Sequence, residues 1–545
     1  MILATAYMLS SIFIHDNVFA AIGDAPGDVY WVTFKDKDSE MPISISERAL
    51  TRRSLRSSSR DFTWYDAPVR AGYVADLGKK GIQIRNTSRW LNAVSAIIDD
   101  SLIDEIMRLP YVVGISRVSS YSRPRPLPAG EMFRRPQKIS AFDDGSSFTQ
   151  INMITVDSLH NLGLSGNGIL IGITDTGFDT SHVVFSHLRS NDRIIATYDF
   201  MDRDSNVVDE PDIQRSHGTQ VLSAIGGFSE GSLIGPAFDA SFVLAKTESV
   251  YTEIRAEEDN WIAAAEWMES LGVDIISSSL GYIDWYDTTQ LDGHTAAITL
   301  AANVANSLGV IVVNAAGNEG DTYWRKIIPP ADGDSVIAVG AVDNNGEIAP
   351  FSSRGPTADG RIKPDFCAPG TSVFLANWSG GFGFAGGTSF ATPLVAGGIA
   401  LLLEGHRDWN LHDILGAMKT ASSHSYLPNN TYGWGVPDFA AAYYNQMGHI
   451  SGAGQAILIA PHPAVDSVVF YLALAANGSG ELTIHDLSGG LVNRFSINNG
   501  MSGINRFVWD GKNSGGREVT SGIYICLLAT SGREATEKFF YISNR

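Results

Sequence analysis

Ile169-Leu170-Ile171-Gly172-Ile173-Thr174 runs without a break into Asp175-Thr176-Gly177, and the reading of this segment decides the fold. Its apolar residues do not alternate with polar ones, so both faces need covering, as in a strand inside a parallel sheet. Outward along the chain the same signature returns at Phe242–Lys246, Ile275–Ser279 and Val310–Ala315, with helical stretches at Asn260–Leu271 and Thr295–Ser307 between them. Buried strands alternating with helices define an α/β domain with a doubly wound, mainly parallel sheet. Its expected extent is residues 148–447.

The 545 residues leave room for three or four domains. With 44% apolar and 18% charged residues the chain can bury enough surface to fold. The 59 acidic residues outnumber 39 lysines and arginines, for a net charge of −20. Such a surface repels phosphate backbones and anionic lipid, which argues against nucleic-acid and membrane-surface partners. It leaves a structural calcium open without placing one, so the metal ligands are unknown. Two cysteines, Cys367 and Cys526, cannot build a disulfide framework or a Cys-rich zinc site and read as buried free thiols. Residues 1–20 are apolar apart from His15 and Asp16 and end in small residues, which reads as a signal peptide and a secreted or cell-surface protein. No other stretch suits a membrane span, because Pro393–Leu403 is too short and fits a core helix.

Both flanks differ from the central domain. Residues 28–118 read as strand Tyr30–Phe34, an Arg-rich stretch Ser44–Arg60 capped by Ser46, strands Tyr73–Leu77, Gly81–Arg85 and Leu91–Ile98, helical Asp99–Leu109 and strand Tyr111–Arg117. That order suggests a small α+β domain of ferredoxin-like type. Residues 119–147, with Arg123-Pro124-Arg125-Pro126 and Arg134-Arg135-Pro136, read as an exposed linker open to nicking. From 455 to 545 the helical signal stops. Val468–Leu474, Glu481–His485, Ile504–Trp509 and Gly522–Thr530 alternate with Gly- and Asn-rich turns, as in a β-sandwich.

Three local motifs in the central domain carry chemistry only when taken together. Asp175 ends the first buried strand, His217 lies in Ser216-His217-Gly218-Thr219, and Ser389 lies in Gly386-Gly387-Thr388-Ser389-Phe390-Ala391-Thr392-Pro393 at the head of an apolar helix. A serine hydroxyl is a weak nucleophile until a neighbouring base takes its proton. His217 titrates near neutrality and suits that task, and Asp175 would fix its tautomer and stabilise the imidazolium. A helix N-terminus at Ser389 aims unpaired N–H groups at developing negative charge, and Pro393 is read as tolerated because early helical N–H groups lack partners. Asn318, in Ala315-Ala316-Gly317-Asn318-Glu319-Gly320 after a strand, could donate a side-chain N–H to an oxyanion together with the Ser389 backbone.

With these residues in this order, the chain resembles the subtilase family of serine peptidases, whose Asp, His, Ser sequence is that of subtilisin. The resemblance spans about residues 148–447 and implies hydrolysis of protein or peptide substrates through an acyl-enzyme, with no catalytic cofactor. It also implies that Ser279, Leu280 and Gly281, and Ala315, Ala316 and Gly317, are the backbone edges flanking the S1 pocket. Phe390 stands where many members have Met, and the loop Asp321–Ile328 departs from the family pattern, leaving Ile327 as a candidate for the pocket floor. Tyr30-Trp31-Val32, Ser46-Glu47-Arg48-Ala49-Leu50 and Ser88-Arg89-Trp90-Leu91-Asn92-Ala93-Val94 resemble the N-terminal regions of Bacteroidetes-type subtilases. By that likeness residues 28–118 are an inhibitory prodomain, removed in the linker. Ile484–Val492, Trp509–Arg517 and Ser521–Tyr524 resemble Ig-like domains of flagellar hook-capping type and type IX sorting domains, which implies a secretion machinery as partner or an anchoring role. Two other readings compete. An inactive subtilase fold used for binding is disfavoured by the complete set of Asp, His and Ser. A lipase or esterase would carry Gly-x-Ser-x-Gly and a different order.

Overall fold

The computed structural model describes residues 28–38, 45–57, 62–118, 142–208, 213–249, 257–283 and 286–445, and most of 457–542. The expected signal peptide and most of the expected linker lie outside the described residues.

The strand Leu170–Asp175 sits inside a seven-stranded sheet in which every neighbouring pair is parallel. Ser241–Lys246 and then Ile194–Asp199 lie on one side of it, and Ile275–Ser278, Ile311–Ala315, Val336–Val342 and Phe366–Pro369 follow on the other. Successive residues of each strand feed opposite cores, as the period of two requires. Ile171, Ile173, Leu244, Val313 and Val339 pack with Val221, Leu222, Leu394 and Val395 of the helices Ile213–Gly226 and Thr388–Gly405. Leu170, Val243, Ile276 and Val312 pack with Trp261, Ala265, Ala301 and Val304 of the helices Glu258–Leu271 and Ala297–Ser307. The strand order therefore turns around Leu170–Asp175, and the crevice beyond the carboxyl ends of such strands is where α/β sheets hold ligands. The helix Thr388–Gly405 is long and apolar enough to cross a membrane by composition, but nearly all of it is buried within this core.

The N-terminal unit is a four-stranded antiparallel sheet in the order Gln83–Ser88, Ala93–Ile98, Asp28–Phe34, Val112–Arg117, the ferredoxin-like arrangement. Tyr73–Leu77 is not a strand but part of the helix Ala71–Lys79. Tyr73, Val74 and Leu77 carry the β-favouring residue types of that stretch, yet at this spacing they line one helical face against the unit's core, and burial overrides propensity. Ser46 does cap the helix Glu47–Arg56, accepting from Ala49 N at 3.2 Å. That helix packs against the helix Glu258–Leu271 of the central domain. Its Arg52 and Arg53 bind Glu269, and Arg48 and Arg56 bind Asp274, all across the boundary with the central domain.

The C-terminal region forms a three-stranded and a five-stranded sheet around one core of Phe470, Leu482, Trp509, Tyr524, Cys526 and Phe539. Trp509 and Tyr524 are core residues, with rings 5.5 Å apart. Cys367 and Cys526 are both buried, and neither is in a disulfide.

Candidate active site

Asp175 is the last residue of its strand and is fully buried, its carboxylate Oδ1 held by the Thr176 backbone N–H at 2.7 Å. His217 projects from the helix Ile213–Gly226, and its Nδ1 lies 2.8 and 3.0 Å from the two carboxylate oxygens of Asp175. Gly218 permits this approach. A Cβ there would fall 2.2 Å from the Gly177 carbonyl oxygen and 3.1 Å from the Asp175 side chain. Burial disfavours the imidazolium of His217, but the charge and hydrogen bond of Asp175 outweigh it, and the pKa is raised above its ordinary value. With Nδ1 bound to the carboxylate, Nε2 is the remaining acceptor, and this buried atom has no partner among the described residues.

Ser389 lies in the first turn of the helix Thr388–Gly405, and the ring of the next residue, Phe390, is 5.7 Å from the His217 imidazole. The Ser389 hydroxyl donates to the Ser279 carbonyl at 3.3 Å, while the Ser279 hydroxyl donates to the Ser389 carbonyl at 2.7 Å. Pro393 explains the second bond and corrects its sequence reading. It stands in the second helical turn, where its missing N–H would have bonded the Ser389 carbonyl, so that carbonyl is free for Ser279.

Asn318 follows the strand Ile311–Ala315, and its Oδ1 accepts from both the Thr388 N–H and the Thr388 hydroxyl at 3.0 Å each. With the oxygen so engaged, the amide N–H₂ end is the donor left for the cavity that Asn318 lines beside Ser389. The same small cavity is lined by Ser279, Leu280, Gly281, Ala315 and Gly317. Ala316 is turned elsewhere, its N–H bonding Val339 and its carbonyl accepting from Ile328. Ile328, not Ile327, meets the cavity. Ile327 is fully buried, with its N–H bonded to Arg354.

Two buried residues near the site escaped the sequence reading. Asn314 donates from Nδ2 to the carbonyls of Leu280 and Ala315 at 3.0 and 2.9 Å, tying the two cavity edges together. Glu248 is fully buried, bonded by the Thr247 and Tyr282 hydroxyls, and burial first and the charge of Glu257 second push its pKa well above the ordinary value. Neither carries a local motif: Asn314 is a lone polar residue inside the strand Ile311–Ala315, and a single Glu after a strand is indistinguishable from a turn residue. A larger cavity of about 390 Å³, lined by Arg56, Asn306 and His412 among others, sits at the boundary of the N-terminal unit, and none of the proposed site residues lines it. Among the described residues no group of three or more His, Cys, Asp or Glu side chains is placed to hold a metal ion.

Comparison with known proteins agrees with this architecture. Residues 166–435 match the Subtilase family, residues 29–129 the peptidase S8 propeptide domain of Bacteroidota, and residues 464–532 the FlgD Ig-like domain. Subtilisin E of Bacillus subtilis (strain 168) is 28% identical over 371 residues, covering 67% of this chain and 84% of subtilisin E. A subtilisin of Bacillus pumilus is 30% identical over 296 residues, 54% of this chain and 97% of that protein. Among solved structures, the epidermin leader peptide processing serine protease of Staphylococcus aureus shares the fold, with TM-score 0.54 and 18% identity over 76% of this chain and 98% of its own. The chain belongs to the subtilase family and is a subtilisin-like serine endopeptidase, with a propeptide domain before the peptidase domain and an Ig-like domain after it.

Proposed function

We propose that Asp175, His217 and Ser389 are the catalytic triad of a secreted endopeptidase, with Asn318 and the Ser389 backbone N–H as oxyanion donors. The observation that carries this reading is the Asp175–His217 pair, whose Nε2 is left as an unpartnered acceptor next to the helix turn that presents Ser389. In the reaction the Ser389 hydroxyl rotates from Ser279 to His217, gives its proton to Nε2 and attacks the substrate carbonyl. His217 then returns the proton to the leaving amine, and water repeats the sequence on the acyl-enzyme. The edges Ser279–Gly281 and Ala315–Gly317 flank the substrate, with Ala316 holding the second edge in place through its bonds to Val339 and Ile328.

In the same reading residues 28–118 act as inhibitor and folding aid and are released by cleavage within 119–147. Residues 1–20 direct export, and residues 455–545 serve sorting or attachment rather than chemistry. A fluorophosphonate probe tests the centre of the proposal. Labelling of the processed protein at Ser389, abolished by Ser389→Ala, is the expected result, and labelling elsewhere or not at all removes the triad.

A further inference from the structure

We propose that Ile328 sets the substrate class of this cleft, restricting cleavage to bonds that follow glycine or alanine. The inference rests on the reading of Ser389 as nucleophile and Asn318 as oxyanion donor. If that reading holds, the cavity they share receives the side chain of the residue whose carbonyl is attacked, since Ser389 and Asn318 both line it.

That hollow is narrow. Its walls are Ser279, Leu280 and Gly281 on one side and Ala315 and Gly317 on the other, and Ile328 stands between them. A Cβ on Gly281 would fall 2.1 Å from Ile328 Cδ1 and 2.4 Å from its Cγ1, and one on Gly317 would fall 3.1 Å from each. The isoleucine thus already fills the space that two glycines leave open. Its position is fixed by backbone bonds on both flanks, from Ile328 N–H to the Ala316 carbonyl at 3.1 Å and from Tyr282 N–H to the Pro329 carbonyl at 3.1 Å. Only 7% of its surface is exposed, so it has nowhere to swing. What remains within these walls is about 20 Å³, close to the roughly 10–15 Å³ that one water needs, which favours a methyl group over a leucine or phenylalanine side chain. Glu319 is the one charged residue on the lining, and its carboxylate is engaged by the Thr322 hydroxyl at 2.8 Å.

The test uses the processed full-length enzyme, its active sites counted with a fluorophosphonate, on peptidyl p-nitroanilides that differ only in the residue before the scissile bond. Alanine and glycine substrates should exceed leucine and phenylalanine ones in kcat/KM by about 10-fold or more, the scale set by a methylene a pocket cannot hold. Ile328→Gly should raise the ratio of kcat/KM for leucine and phenylalanine over alanine substrates by about 10-fold or more. Ile328→Val, which removes only the Cδ1 methyl, should fall between. Preference of the wild-type enzyme for leucine or phenylalanine overturns the inference, as does an unchanged order in a fully labelled Ile328→Gly enzyme. Preference for lysine or arginine overturns it too and reassigns the pocket to Glu319. Should Ile328→Gly fail to label, the wild-type order and Ile328→Val decide. Failure of wild-type Ser389 to label removes the reading of the site instead, and this inference with it.

Discussion

The boundary between the N-terminal unit and the peptidase domain, and the cleft around Asp175, both set a carboxylate against a nitrogen cation, to opposite ends. At the boundary Arg53 grips Asp66 through two bonds of 2.8 and 2.9 Å and reaches Glu269 at 2.9 and 3.0 Å, while Arg85 grips Asp259 at 2.8 and 3.1 Å and Arg89 reaches Glu269 at 3.0 Å. A guanidinium keeps its proton at any ordinary pH, so these charges are fixed and their forked geometry selects one docking register. In the cleft the cation is an imidazolium, which exists only for part of the cycle. The kind of base opposite the carboxylate decides whether the pair holds two surfaces together or moves a proton. Buried pairs of the first kind add little net stability, because desolvation offsets their attraction. A seam built from them is selective without being hard to separate in water, which suits the release proposed for residues 28–118.

The comparison breaks if a change in the cleft loosens the seam, or the reverse. Ser389→Ala carries the largest expected effect, a fall in kcat on the order of 10⁶, a magnitude carried over from subtilisin. Residues 28–118 should then stay attached, with unchanged resistance of the seam to added protease. Glu269→Leu, made in that inactive chain, strands Arg52 and takes one carboxylate each from Arg53 and Arg89, which keep Asp66, and should cost about 3–5 kcal/mol in denaturant unfolding of the N-terminal unit. A cost near zero would mean that the apolar contacts of Trp31 and Trp90 with Trp261 hold the seam alone. Asn318→Ala should lower kcat by about 10²–10³ at nearly constant KM, again a scale carried over from subtilisin. Asn318→Asp sharpens the point: it keeps the acceptor for Thr388 but loses the N–H donor, and should be as slow as the alanine variant.

How far the molecule can be read from sequence follows the same division. Ile169–Thr174 discloses the sheet because a strand buried on both faces carries its own signature, and Asp175 at a strand end, His217 within a helix, Asn318 in the loop after a strand and Ser389 at a helix start all lie inside recognisable local motifs. The seam left only half a trace. The arginines of Ser44–Arg60 are conspicuous, but Glu269 lies 217 residues from Arg52, on a helix whose acidic residues look like an ordinary solvated face. Ile328 is illegible for the same reason, since its meaning comes from Gly281 and Gly317, brought beside it only by the fold. Tyr73–Leu77 misled because its residue types favour a strand while its neighbours impose a helix.

The smallest expected effect is a shift along the pH axis, and it separates the two regions by sign. His217 must be neutral to accept the Ser389 proton, and Asp175, against the opposing influence of burial, raises its pKa above the ordinary 6.5. Plotted against pH, kcat/KM should therefore rise to a plateau through a midpoint above 6.5. At the seam the order is reversed. Burial pushes the carboxyls of Asp66 and Glu269 up, but Arg53 for the first and Arg52, Arg89 and Arg53 for the second pull them down further, so both titrate below their ordinary values of 3.8 and 4.5. Groups depressed in this way contribute stability that is fully present above those ordinary values and lost as pH falls through the lower folded ones. Between the two ranges the site should be inactive and the seam intact: protease resistance of residues 47–56 in the unprocessed Ser389→Ala chain should persist at pH values where peptide hydrolysis by the processed enzyme has stopped, and activity of the latter should return at once on neutralisation. Loss of that resistance together with activity, at one midpoint, would show that imidazole and guanidinium are not playing separate parts.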